Sequence, residues 1–221
     1  MRRWLRDNGL TVALLSLFAG SFAGQVFAGW PAENAERALH GEAAQGLGDY
    51  LISGAFLSAV FENWESEFLQ MWAYVMLTAY LFQRGSPESK DPDAVAPQDQ
   101  DPTAHSRERD APGPVRRGGL MLSLYSHSLG FALLALFVLS FILHWLNSAR
   151  KANDQAMAHG APAVRALAYL GDPAFWFESF QNWQSEFLST AVLIVLAIWL
   201  REKSSPESKA IADPHAKTGN S

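Results

Sequence analysis

Apolar residues fall into four stretches. The first runs from Leu10 to Trp30 and the third from Leu120 to Leu146. The second begins after Tyr50 and closes with Phe68 to Phe82; the fourth begins after Pro173 and closes with Phe187 to Leu200. A helix needs about 20 apolar residues to cross the hydrocarbon core of a bilayer. The first and third stretches satisfy this directly. The other two do so only if their polar motifs, residues 62–67 and 181–186, lie at or just inside one membrane boundary. The pattern predicts an all-α integral membrane protein with four transmembrane helices.

The chain also repeats itself. The shift that carries Glu67 onto Glu186, 119 positions, places Phe61, Asn63, Trp64, Ser66, Phe68 and Leu69 on Phe180, Asn182, Trp183, Ser185, Phe187 and Leu188. It also places Ser86-Pro87-Glu88-Ser89-Lys90 on Ser205-Pro206-Glu207-Ser208-Lys209, His40-Gly41 on His159-Gly160, and Tyr50-Leu51 on Tyr169-Leu170. Apolar helices resemble one another by chance, but polar motifs held in register with them across so long a shift indicate a duplication. Each copy carries two spans, so both enter the membrane in the same sense, as two parallel-topology helical hairpin repeats. The expected organisation is a first membrane repeat over 1–84, a disordered cytoplasmic linker over 85–119, a second membrane repeat over 120–203, and a disordered cytoplasmic tail over 204–221. The repeated Ser-Pro-Glu-Ser-Lys reads either as a short helix start or, the favoured reading, as a helix stop followed by a turn.

Basic residues set the orientation. Arg2, Arg3 and Arg6 precede the first stretch, and Arg84, Lys90, Arg107, Arg109, Arg116 and Arg117 lie between the second and third. Arg201, Lys203, Lys209 and Lys217 follow the fourth, whereas the other two connections hold only Arg37, and Arg150, Lys151 and Arg165. Basic loops stay inside, which predicts a multi-pass protein of the inner membrane with both termini cytoplasmic and the lipid bilayer as its partner. The start, Met1–Arg6 followed by an apolar run and Val26-Phe27-Ala28-Gly29, also has the form of a cleavable secretory signal. The equivalence of the first and third helices argues for its retention.

Composition narrows the chemistry. There is no cysteine, hence no disulfide, thiolate metal site, iron–sulfur cluster or covalent c-type haem. A net charge of -5 leaves no global basic footprint for nucleic acid. No Glu-x-x-His pair suits a di-iron bundle, and no phosphate loop, nucleophile elbow or zinc-protease motif occurs. The membrane histidines His127 and His144 share one helix, which does not suit a b-type haem. The chain is expected to be no enzyme and to carry no cofactor; whether it holds a metal stays open.

The strongest candidate site is Asn-Trp-x-Ser-Glu-Phe, present twice. On a helix Asn63, Glu67 and Gln70 share a face, as do Asn182, Glu186 and Ser189, with Ser66 and Ser185 at the edges. Counting at 1.5 Å per residue from Phe82 or Leu200 puts Glu67 and Glu186 about 22 Å from the inner boundary, below the outer one. A carboxylate there costs about 3 kcal/mol and should face protein. The expected ion-binding set is Glu67, Glu186, Asn63, Asn182 and His144, which bind or move protons or cations. The alternative is a structural or stress-related envelope protein in which the motif locks helix packing. His144 is equivalent to Gln25 and sits at a similar depth; His40 and His159, in the outer loops, are weaker metal candidates.

Two further features are structural. The segments 55–61 and 174–180 read as short interfacial helices, or else as extensions of long tilted spans. Ser16, Gly20 and Gly24 form a small-residue stripe whose counterparts, Ala135, Leu139 and Leu143, are mostly bulky, so the first helix packs closely against a neighbour in the bundle or a second copy in a homo-oligomer. The doubled motif, Asn63–Phe68 and Asn182–Phe187, resembles a family of uncharacterised bacterial four-helix membrane proteins of about this length. The resemblance implies membrane location and a bacterial source, and transfers no activity.

Overall fold

A computed structural model describes residues 2–219. Met1, which opens the signal-like segment, and the last two residues of the expected tail lie outside the described residues. The elements are helical: α1 (Arg2–Asp7), α2 (Gly9–Leu39), α3 (Leu47–Leu51), α4 (Gly54–Tyr80), α5 (Gly113–Arg117), α6 (Gly119–Ser126), α7 (Ser128–Ala158), α8 (Ala166–Tyr169) and α9 (Pro173–Trp199). Residues 85–119 hold two 3-10 turns, Pro97–Asp99 and Pro102–His105, and α5.

The 119-residue offset recurs in the backbone. It carries both ends of α2 onto α7 and both ends of α4 onto α9. Side-chain bonds follow it. Asn34 and the backbone of Gln45 exchange two hydrogen bonds, 3.1 and 2.8 Å, as do Asn153 and Val164, 2.8 and 2.7 Å. Each asparagine amide thereby ties the backbone of the following loop to its own helix. Ser89 and Ser208 accept from the backbone N–H of Gln83 and Glu202 at 2.8 and 2.9 Å. Both copies of Ser-Pro-Glu-Ser-Lys are thus turns beyond a helix end, without a helix of their own.

The structure departs from the sequence reading at two points. The expected interfacial helices do not form separately: 55–61 and 174–180 are the first turns of α4 and α9. No glycine or proline interrupts either segment after its first residue, so helical hydrogen bonding simply continues. The third apolar stretch, expected as one helix, breaks at His127, whose φ of -116° and ψ of 9° part α6 from α7. Asn8, its counterpart, parts α1 from α2 with φ -126° and ψ 16°.

Two compact units divide the chain. The first runs up to Val60 and includes Leu143–Gly171; the second comprises Phe61–Ile142 and the chain from Asp172 onward. In the first, Phe22 packs edge-on against Phe56, and Tyr50 is buried against Phe56 and Gly29. Gly54 brings the start of α4 against the backbone of α7, where a Cβ would lie 2.6 Å from the Lys151 nitrogen. In the second unit Phe137 and Phe141 of α7 meet Trp183 and Phe175 of α9.

Among the described residues, α2 and α7 are long and apolar enough to cross a membrane. Only 6% and 17% of their apolar windows are buried, which does not suit the core helix of a soluble protein. The polar motif in the first half of α4 and of α9 keeps those two helices below the same criterion. Along much of these helices burial is inverted. Leu14, Leu17, Phe27, Leu129, Phe131 and Leu188 are exposed, while Ser58, Glu65, Ser66, Ser140, Ser148 and Ser179 are buried.

Candidate functional site

Within the second unit, polar side chains gather along the seam between α4 and α9. Asn182 donates through its amide to the carboxylate of Glu62, and also to the Glu178 carbonyl at 3.2 Å, one turn back on its own helix. The carboxylate oxygens of Glu62 and Glu178 come within 4.8 Å of one another. Glu65, wholly buried, accepts from the Trp183 indole N–H at 2.9 Å. Ser66 and Ser185, equivalent in the repeat, each donate to the carbonyl three residues back, that of Asn63 or Asn182, at 2.8 Å.

One turn further along, Glu67 and Glu186 are close enough for their charges to interact. Glu67 is exposed and Glu186 half-buried. Gln70 donates to Thr190, which itself donates to the Glu186 carbonyl at 3.0 Å. A cleft of about 370 Å³ follows, lined by Tyr74, Leu77, Phe187 and Ile194 among others. At its far end Tyr74 donates to Glu88. Burial holds the Glu88 carboxyl above its ordinary value, its repeat partner Glu207 adds to the effect, and the Tyr74 hydroxyl acts against it.

The helical period explains this placement. Glu67, Gln70, Tyr74 and Thr78 fall at steps of three, four and four on α4, and Asn182, Glu186 and Thr190 at steps of four on α9. Each set forms one stripe that runs from the polar first half of its helix into the apolar second half. Carboxylates approaching one another in a medium of low dielectric repel, and a shared proton or cation relieves the repulsion. The arrangement is suited to holding either one.

Of the residues expected from sequence, Glu67, Glu186 and Asn182 meet along this seam. Asn63 is exposed, whereas its repeat counterpart Asn182 is half-buried and pairs with Glu62. His144 is fully buried on α7, in the first unit. Sequence reasoning missed Glu62, Glu65 and Glu178. Their signal was present: Ser58, Glu62, Glu65 and Ser66 share a helical face, and Glu178 stands one turn before Asn182. A family model described as a domain of unknown function (DUF6766) matches residues 1–220. No curated protein and no solved structure matches the chain.

Proposed function

We propose that this chain, which belongs to the DUF6766 family, is a non-enzymatic four-span inner-membrane protein that binds and relays protons or cations along the α4–α9 seam. One observation carries the reading: polar groups follow one another along both helices, from Glu62 and Asn182 through Glu186, Gln70 and Thr190 to Tyr74 and Glu88. Ionisable groups on membrane helices are expensive in lipid and tend to mark ion paths. The exposed apolar side chains of α9, such as Leu188, Val192, Leu193 and Leu196, support counting it as a span beside α2 and α7. At 27 residues α4 and α9 are each about 40 Å long, enough to cross a bilayer with the motif near its outer side. The basic residues then lie with both termini in the cytoplasm.

Glu62 and Glu178 form the outer pair and Glu67 and Glu186 the next one inward. Asn182 fixes the first pair, Asn63 borders the path, and His144 remains a candidate ligand from its depth in the sequence. A cation fits the outer carboxylates, whereas Tyr74, Glu88 and Glu207 at the inner end favour the proton. A second reading has an observation of its own. Asn182 to Glu62, Trp183 to Glu65 and Gln70 to Thr190 all join α4 to α9 and fix their register, as a purely structural motif would.

Proteoliposomes with an imposed pH gradient separate the two. Glu67→Gln with Glu186→Gln, and separately Glu62→Gln with Glu178→Gln, should abolish proton or cation flux while the folded protein is retained. Wild-type protein without flux, or variants with wild-type flux, would leave only the structural reading.

A further inference from the structure

The first unit holds a constellation of its own. α2 and α7 have 31 residues each, about 46 Å, and so extend past the apolar stretches that precede them. Their ends carry His40 and His159, equivalent under the duplication. The two rings lie 5.3 Å apart between centroids, at 80° to one another. Both are exposed and line a cleft of about 480 Å³.

Each ring is held the same way. His40 Nδ1 lies 3.0 Å from the Glu36 carbonyl, and His159 Nδ1 lies 2.8 Å from the Gln155 carbonyl. A carbonyl only accepts, so in each neutral ring Nδ1 carries the proton and Nε2 keeps its lone pair. Such second-nitrogen bonding to a backbone carbonyl is the arrangement that orients histidine for a metal.

The spacing fits as well. A ring nitrogen about 2.0 Å from a tetrahedral Zn²⁺ puts the ring centre about 3.2 Å from the metal, and two such rings about 5.2 Å apart. The cleft favours a cation: Glu33, Glu36, Glu42 and Asp154 line it against Arg37 and Lys151, and Arg37 is already paired with Glu42 at 3.0 Å. Glu33, Glu36 and Asp154 make the cleft acidic, and water would complete the coordination shell.

We infer that His40 and His159 form a binding site for a divalent transition-metal ion of the zinc class, through Nε2 of both rings, on the outer side of the protein. Imidazole ligands with carboxylate or water suit zinc, copper and nickel rather than calcium or magnesium.

The test is calorimetric titration of Zn²⁺ into the full chain, free of any histidine tag, in detergent micelles. One ion should bind at the His40–His159 site, apart from any that the Glu62–Glu178 carboxylates take up. His40→Asn and His159→Asn should each weaken binding at least as much as the loss of an outer-shell partner does, about 10- to 100-fold. The double variant should not bind at this site, and Glu62→Gln with Glu178→Gln should leave it intact, which keeps this result separate from the fate of the seam. Histidine carbethoxylation of the wild-type protein, mapped by mass spectrometry, removes any dependence on variant folding: Zn²⁺ should protect His40 and His159 together. Wild-type protein that takes up no Zn²⁺, unchanged affinity in the double variant, or protection of neither or only one histidine overturns the assignment.

Discussion

Replacing Gly54 by alanine tests how closely α4 and α7 are held. The added Cβ would lie 2.6 Å from the Lys151 nitrogen, 2.9 Å from the Asn147 carbonyl oxygen and 3.1 Å from the Lys151 Cα. All three are backbone atoms, so no side chain can rotate away. Restoring ordinary contact at 3.4 Å requires the start of α4 to retreat by about 0.8 Å. The same movement would lengthen the 3.0 Å bond from the Arg150 guanidinium to the Ile52 carbonyl. Overpacking of this kind costs about 1–3 kcal/mol, and the better helix propensity of alanine returns up to about 1 kcal/mol. A net loss of about 1–2 kcal/mol should lower the Tm of a chain this size by about 3–6 °C. Gly48 is the control, because nothing lies within 4 Å of a Cβ there. Its alanine variant should melt at or slightly above wild type. Differential scanning fluorimetry in detergent reads both; a Gly54→Ala protein as stable as the Gly48→Ala one would refute the reasoning.

Two other outcomes are expected. Because the folded protein holds the Glu88 carboxyl above its ordinary value, its stabilising contribution is full below the usual glutamate range, about pH 4.3, and is lost as pH rises through the raised folded value. Intrinsic-rate-corrected hydrogen exchange at residues 83–90 should therefore quicken as pH rises above about 4, and Glu88→Gln should flatten the trend; a variant with the wild-type trend contradicts it. Ser16, Gly20 and Gly24 are exposed, with nothing within 4 Å of a Cβ at either glycine, so a second copy is the expected neighbour. Gly20→Ile with Gly24→Ile should shift analytical ultracentrifugation toward monomer, and an unchanged distribution rejects that role.

Periodicity and repetition made the long helices legible before any coordinates. A polar motif that recurs at fixed distance constrains both copies at once, and so α4 and α9 share their ends under the same offset that aligns Asn63 with Asn182. The breaks at Asn8 and His127 were less visible, since one polar residue inside a helical pattern is ordinarily tolerated; here Ser126 and Ser128 bond back to the Leu122 and Tyr125 carbonyls beside the break, both at 2.8 Å. The seam was half legible. Helical spacing put Glu67 and Gln70 on one stripe, but the rotation of α4 about its axis depends on its neighbours. That rotation buries Ser58, Glu65 and Ser66, and it determines that Asn182 pairs with Glu62. His40 and His159 were legible only as weak metal candidates in the outer loops: the apolar pattern ends before α2 and α7 do, and gave no sign that the two helices continue to the point where the rings meet.

The glycine that permits the close approach at Gly54 is not repeated. The position 119 residues later is Pro173, which opens α9 with its ring fixed and no N–H to offer. Separate identical subunits would have to carry the same residue at both places and accept whatever compromise served each. Joining the halves in one polypeptide lifts that restriction, so one copy can admit a backbone neighbour at van der Waals range while the other stiffens the entrance to its helix, and divergence between the halves can be sought first wherever the partners of equivalent residues differ.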